Sequence, residues 1–248
     1  MIKQILSITL FALILIQYSN ADNLHMPWDR LLHAYVKGGV VQYTALKNRP
    51  EDLVKFNGYL GALAKQDISR YSRDEQLAFW INAYNAFTVK LILNHYPLKS
   101  IKDIKKPWNQ KIWKAGGETI SLDIIEHKKL REDLKEPRIH FAIVCASIGC
   151  PHLDNKAFLS ETVQKHLDER ARSFFTHQNN FRLQNKNNMI TIRISKIFKW
   201  FGGDFGKSDD EKLMFIRKFL APKDAEDIKH AKKVKLQYLP YDWSLNGK

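Results

Sequence analysis

Cysteine, glycine, proline and acidic side chains are all scarce in this chain. There are two cysteines, at 145 and 150, so any disulfide, metal site or thiol nucleophile must be built from one short segment. Eleven glycines and eight prolines in 248 residues leave no linker that would mark a second domain. Internal repeats and low-complexity tracts are absent. Acids are outnumbered 26 to 40 by Lys and Arg, a net charge of +14. The lysines are nonetheless scattered and no DNA- or RNA-binding motif appears, so specific nucleic-acid binding is not expected. The expected partners of such a basic surface are an envelope polymer, a peptide or an anionic surface, set against simple solvation.

Long apolar runs are missing too. The strongest, Leu6 to Ile16, is interrupted by Ser7 and Thr9 and is too short to span a membrane. Lys3 precedes it and Ser19-Asn20-Ala21 follows it, which is the pattern of a secretory signal over residues 1–21. The alternative is a buried N-terminal helix. A signal implies export, to a periplasm where the source has two membranes, and no transmembrane anchor after its removal. The remaining residues, 22–248, carry 39 basic and 26 acidic side chains, net +13, and suffice for one sizeable domain.

What is present reads as helices with short strands between them. Helices are expected over "PWDRLLHAYVKGG", "RPEDLVKFNGYLGALAK", "SRDEQLAFWINAYNAFTVKLILNHYP", "LDIIEHKKLR", "SETVQKHLDERARSFF", "DDEKLMFIRKFL" and "DAEDIKHAKK". Hairpins are expected around Gly116-Gly117 and over "FRLQNKNNMITIRI", and strands at "VVQY", "RIHFAIVC" and "VKLQYL". This is an α+β pattern, a helix-rich domain on a small, mostly antiparallel sheet.

Within the third helix, residues 77–93 are apolar nearly all round, which places the helix inside the protein. Asn82 and Asn85 sit there one turn apart. A buried carboxamide needs partners. Either these two tie neighbouring loops down through backbone hydrogen bonds, or they form the floor of a cleft and orient a polar substrate. Trp80 and Tyr84 then either wall that cleft or pack in the core.

"HFAIVCASIGCPHL" holds both cysteines. On a straight strand His140 and Cys145 face opposite sides, so a dyad between them requires a bulge or a turn. Pro151 suits a first helical turn, which would put Cys150 at a helix N-terminus where a thiolate is favoured. A Cys145–Cys150 disulfide, a nucleophilic cysteine aided by a histidine, and inert buried thiols all fit. The spacing matches no zinc pattern, and neither metal nor cofactor is expected.

"LAFWINAYNAF", "RIHFAIVCASIGCP", "SKIFKWFGGDF" and "YDWSLN", in that order, resemble the family called domain of unknown function 547, over about Trp28 to Asn246. The resemblance implies a shared fold and a set of positions but no assigned reaction. It draws in Asp204 and Asp242, each of which either caps its own turn or orients a histidine. Trp200, Phe201 and Phe205 read as core anchors, and Trp243 and Leu245 as residues that pin the C-terminus.

Two functions compete. One is an exported cysteine-dependent hydrolase or acyl-transfer enzyme acting on an envelope peptide or amide. There Cys145 or Cys150 attacks, His140 is the base, Asp204 or Asp242 orients it, and Asn82 or Asn85 holds the substrate. The other is a non-catalytic envelope binding or interaction domain with a structural Cys145–Cys150 disulfide.

Overall fold

The computed structural model describes residues 20–187 and 189–248. The secretory-signal reading lies outside the described residues except at Asn20 and Ala21, which open the first helix. That helix, α1 (Asn20–Tyr35), buries Trp28, Leu31 and Leu32 on one side. A two-residue hairpin follows, β1 (Val36–Lys37) with β2 (Val40–Val41), then the short α2 (Tyr43–Lys47). The chain continues into α3 (Pro50–Lys65), whose Phe56 and Tyr59 stack on Trp28.

The centre is α4 (Arg73–His95), about 35 Å long at 1.5 Å per residue. The expected capping box is formed: Glu75 N donates to Ser72 Oγ at 3.3 Å, and Ser72 N donates to Glu75 Oε2 at 2.8 Å. Residues from Leu77 to Leu93 are buried at every position but Lys90, so the helix is enclosed on all sides. It packs against α1, α3 and the segments that follow.

The hairpin of β3 (Trp113–Ala115) and β4 (Glu118–Ile120) leads to Ser121, whose Oγ caps the single turn α5 (Leu122–Ile124). Ile125–Asp133 then winds as a π-helix rather than continuing as an α-helix. The i→i+5 winding turns Glu126 and Arg131 to one side.

"RIHFAIVC" is not a strand. Pro137–Phe141 is a 3₁₀ turn opened by Glu136, whose Oε1 accepts from Arg138 N at 3.1 Å, and no neighbouring strand pairs with it. The face alternation expected there does not apply. Nor does Cys150 begin a helix: residues 150–162 are loop and turn, and the next helix is α6 (Val163–Thr176). Asp154 instead pairs with His166 at 2.7 Å.

A second hydrophobic core lies beyond α6. The hairpin β5 (Phe181–Lys186) and β6 (Met189–Ile194) is extended by β7 (Lys233–Tyr238), which runs parallel to β6. Between them come α7 (Ile197–Trp200), α8 (Gly202–Phe205), α9 (Asp209–Arg217) and α10 (Pro222–His230). Phe141, Phe174, Phe198, Phe205 and Phe219 fill this core, while α4 organises the first. The architecture is thus α+β as expected, with three small sheets among the described residues.

Residues 239–248 strap the two cores together. Leu239 N donates to Ile194 O, Leu245 N to Lys99 O, and Lys248 N to Val41 O, at 2.8, 2.8 and 2.9 Å. Against the cysteine loop, Ile148 N and Gly149 N donate to Ser244 O and Asp242 O, and Asn246 N donates to Ala146 O. Two glycines permit this approach. A Cβ on Gly149 would stand 2.9 Å from Asp242 N, and one on Gly247 would stand 2.2 Å from the Tyr43 ring. No helix among the described residues is long and apolar enough to cross a membrane.

Candidate active-site cleft

The two cores meet at a cleft of about 270 Å³, small for a ligand site. Ile143, Cys145, Cys150 and Tyr84 come from the first core, Ile197 and Phe201 from the second, and Trp108, Trp200, Tyr241 and Trp243 close it. Trp200, Tyr241 and Trp243 pack ring against ring, with Tyr241 and Trp243 centroids 4.6 Å apart.

Cys145 reaches the cleft because α4 dictates the path of the loop before it. Asn85 is 2 % exposed; its Nδ2 donates to Ala142 O at 3.0 Å and its Oδ1 accepts from Val144 N at 2.9 Å. Asn82, 1 % exposed, does the same for Phe158, with 2.7 and 3.0 Å bonds. Both carboxamides therefore serve as backbone pairs for loops that have no sheet partner. Neither lines the cleft, so the substrate-binding role expected for them is replaced by a scaffolding one. Trp80 is likewise core, packed edge-on to Phe79. Of that helix's four candidates, Tyr84 alone reaches the cleft.

Beyond Val144 the chain turns sharply. Ala146 adopts φ +58, a left-handed conformation that costs an alanine about 1–2 kcal/mol, and the strap's bonds hold it there. The turn gathers donors around Cys145 Sγ. Ser147 Oγ lies 3.0 Å and Tyr241 OH 3.2 Å away, and Cys145 N–H donates to Cys150 Sγ at 2.9 Å. Both cysteines are free thiols. Cys150, then Ser147 and Tyr241, stabilise the Cys145 thiolate against burial and bring its pKa down to about 6. Burial and the neighbouring Cys145 push the Cys150 thiol well up, so Cys145 is the more acidic of the two.

His140, 3 % exposed, lies against Phe201 with centroids 4.2 Å apart. Its Nε2 is 2.7 Å from Asp204 Oδ2. Asp204 also takes a two-pronged contact from Arg131, with Nε at 2.6 Å and Nη2 at 2.9 Å. Burial works against the Asp204 carboxylate, but the His140 and Arg131 bonds hold its pKa well below the usual range. An ionised carboxylate only accepts, so Nε2 carries the hydrogen and Nδ1 keeps the lone pair. Burial lowers the His140 pKa, outweighing Asp204, and the ring is neutral at neutral pH. No hydrogen bond engages Nδ1, and none joins His140 to either sulfur among the described residues. His140 and Cys145 nonetheless border the same cleft, since no strand forces them apart. Asp242 takes the other course, capping its own turn by accepting from Ser244 N at 2.8 Å.

The π-helix contributes a residue that the sequence did not flag. Glu126 lies in the cleft wall with Oε2 3.1 Å from Tyr84 OH. Burial raises its pKa to about 7, and the negative Cys145 adds to the rise. Arg131 is also new, as are Ser147 and Tyr241; the last two carried a signal, lying in the "RIHFAIVCASIGCP" and "YDWSLN" stretches. Among the described residues no group of three or more His, Cys, Asp or Glu is placed to hold a metal.

These features define an α+β protein in which a buried, asparagine-bearing helix positions a cysteine in an aromatic cleft. Residues 68–175 match the family model described as "Protein of unknown function, DUF547". The matched segment runs from just before α4 through α6. It includes Glu126, Arg131, His140 and both cysteines, and stops short of Asp204 and the strap. Neither the curated proteins nor the solved structures yield a match.

Proposed function

We propose that the protein is an exported, cysteine-dependent hydrolase or acyl-transfer enzyme that acts on a peptide or amide of the cell envelope. One observation carries the chemistry: Cys145, surrounded by groups that favour its thiolate, borders the same cleft as a neutral histidine held by a carboxylate. Residues 1–21, with the pattern of a secretory signal, support export.

In this reading Cys145 Sγ adds to the substrate carbonyl carbon, and collapse of the adduct leaves an acyl thioester. An amide leaving group needs a proton as it departs. Glu126, with a pKa of about 7, holds one on the same wall for a large fraction of molecules at neutral pH. His140 Nδ1 then takes a proton from the acceptor, water or an amine, as that attacks the thioester and restores the thiolate. Asp204 fixes the ring and favours the imidazolium that forms, while Arg131 fixes Asp204.

The test uses p-nitrophenyl acetate, whose leaving group needs no proton. A burst of nitrophenol with an acetyl adduct on Cys145 is expected. C145S abolishes it, while H140A and D204N leave the acetyl group on but slow its release by about 10²-fold or more. An unacetylated Cys145, or release that ignores both His140 and Asp204, would overturn the reading.

A further inference from the structure

The charge of the cleft is opposite to that of the molecule. The chain carries 40 Lys and Arg, yet none among the described residues lines the cleft; its ionisable wall residues other than His, Tyr and Cys are Asp123 and Glu126. The nearest cations are already engaged. Arg131 is bound to Asp204 and lies 5.0 Å from the Phe201 ring centre, and Lys102 sits 4.4 Å from that of Trp243. Lys129 pairs with Glu118 at 2.7 Å. Asp123 has His127 Nε2 at 3.6 Å. Glu126 has a single hydrogen-bond partner, the neutral Tyr84 hydroxyl, and its Oε1 makes no hydrogen bond among the described residues.

A largely buried carboxyl group among aromatic rings is costly to ionise unless a cation meets it. Arg131 acts on Glu126 only through space while bonded to Asp204, and no cation among the described residues bonds to Glu126, so the group that fills the cleft is the remaining source of a paired cation. Phosphate or a free carboxylate would meet Asp123 and Glu126 on this wall, with no Lys or Arg among the described lining residues to offset them. The volume of about 270 Å³ admits one side-chain-sized group.

We infer that the group seated beside Cys145 is a primary amine, bound as its ammonium ion against Glu126 Oε1 between Tyr84 and the tryptophans. Resting on the acyl-transfer reading, this names the substrate class: an amide whose leaving group, or an acyl acceptor that, is an aminoalkyl chain. As the amide C–N bond breaks and the thioester C–S bond forms, the Glu126 carboxyl proton passes to the departing nitrogen. The amine takes a second proton from solvent, and the resulting ammonium ion pairs with the Glu126 carboxylate.

The test is direct binding to full-length C145S protein, which does not depend on thiol reactivity. Tryptophan fluorescence is titrated with n-butylammonium, n-butanol and butyrate. Half-saturation by butylammonium is expected at a concentration at least about tenfold below that of either other probe, and E126Q is expected to remove the difference. Ratios near one, a preference for butyrate, no binding by any probe, or a preference that survives E126Q would each overturn the inference. If E126Q does not fold, the ratio on C145S protein alone decides. Failure here with Cys145 still acetylated by p-nitrophenyl acetate rejects the amine and keeps the nucleophile. The reverse result rejects the nucleophile and keeps the amine site.

Discussion

Removing the Tyr241 hydroxyl tests the thiolate site most sharply. With a thiol pKa of about 6, Cys145 is about 90 % thiolate at pH 7, against about 3 % for an unperturbed thiol near 8.5. Reaction rate does not follow that ratio, because a thiolate of lower basicity is a poorer nucleophile. A Brønsted coefficient of about 0.4–0.5 makes Cys145 roughly 10–20-fold slower per thiolate. At pH 7 the two effects nearly cancel. At pH 5.5 the thiolate fractions are about 0.24 and 0.001, and Cys145 should outpace an ordinary thiol by about 10–20-fold. The assay is the pH profile of iodoacetamide alkylation, with the modified residue located by mass spectrometry. In the native protein Cys145 should react with a midpoint near 6 while Cys150 stays unmodified. A hydrogen bond to a charged group is worth about 1.5–3 kcal/mol, so Y241F should move the midpoint up by about 1–2 pH units. C150A should move it further, since Cys150 gives the largest stabilisation. A native midpoint above about 8, or a Y241F profile that superimposes on the native one, would refute the role given to Tyr241 and the cysteine pair.

Other outcomes are equally specific. Asn85→Ala leaves Ala142 O and Val144 N without their partner and should cost about 2–4 kcal/mol in urea unfolding; a loss below about 0.5 kcal/mol would contradict the stapling role. Deleting residues 241–248 removes the strap's bonds to the cysteine loop, Lys99 and Val41, and should give insoluble or low-melting protein; a soluble product with native near-UV circular dichroism would contradict this. His25, 1 % exposed and bonded to the Tyr59 hydroxyl at 2.9 Å, has its pKa lowered by burial from 6.5 to about 3. Its folded form binds the proton less readily than the unfolded chain, so the stability it contributes is complete above pH 6.5 and is lost as pH falls toward 3. The full loss is at most about 5 kcal/mol. Chemical denaturation at stepped pH should show that decline, and His25→Gln should flatten it.

Most of the fold was legible because its signals are local. Ser72 and Glu75 mark the start of α4, Pro97 lies just past its end, and the apolar positions of α6 recur at helical spacing. The burial of Asn82 and Asn85 was legible as well, from polar residues inside an apolar run. "RIHFAIVC" misled because strand-like alternation reports burial, not pairing. The backbone groups at Ala142 and Val144 that a strand would offer its neighbour are taken by Asn85, from a helix 57 and 59 residues away in sequence. The His140–Asp204 pairing was among the readings the sequence allowed, but Asp204 read more readily as a turn cap. Glu126 and Arg131 left no trace, since an α-helical reading of "LDIIEHKKLR" does not turn them to one side; the π winding does. Tyr241 was part of a quoted stretch, but its contact with Cys145 spans 96 positions and no periodicity reports it.

The strap also orders events in time. A chain is synthesised from its N-terminus, and residues 139–150 emerge long before Tyr241 exists. Until that tyrosine arrives, Cys145 lacks one of its two hydroxyl donors and the loop lacks the bonds that hold Ala146 left-handed. A nascent or truncated chain therefore carries a thiol of more ordinary acidity, and the capacity of this sulfur to react below neutral pH is deferred until the molecule is made and closed.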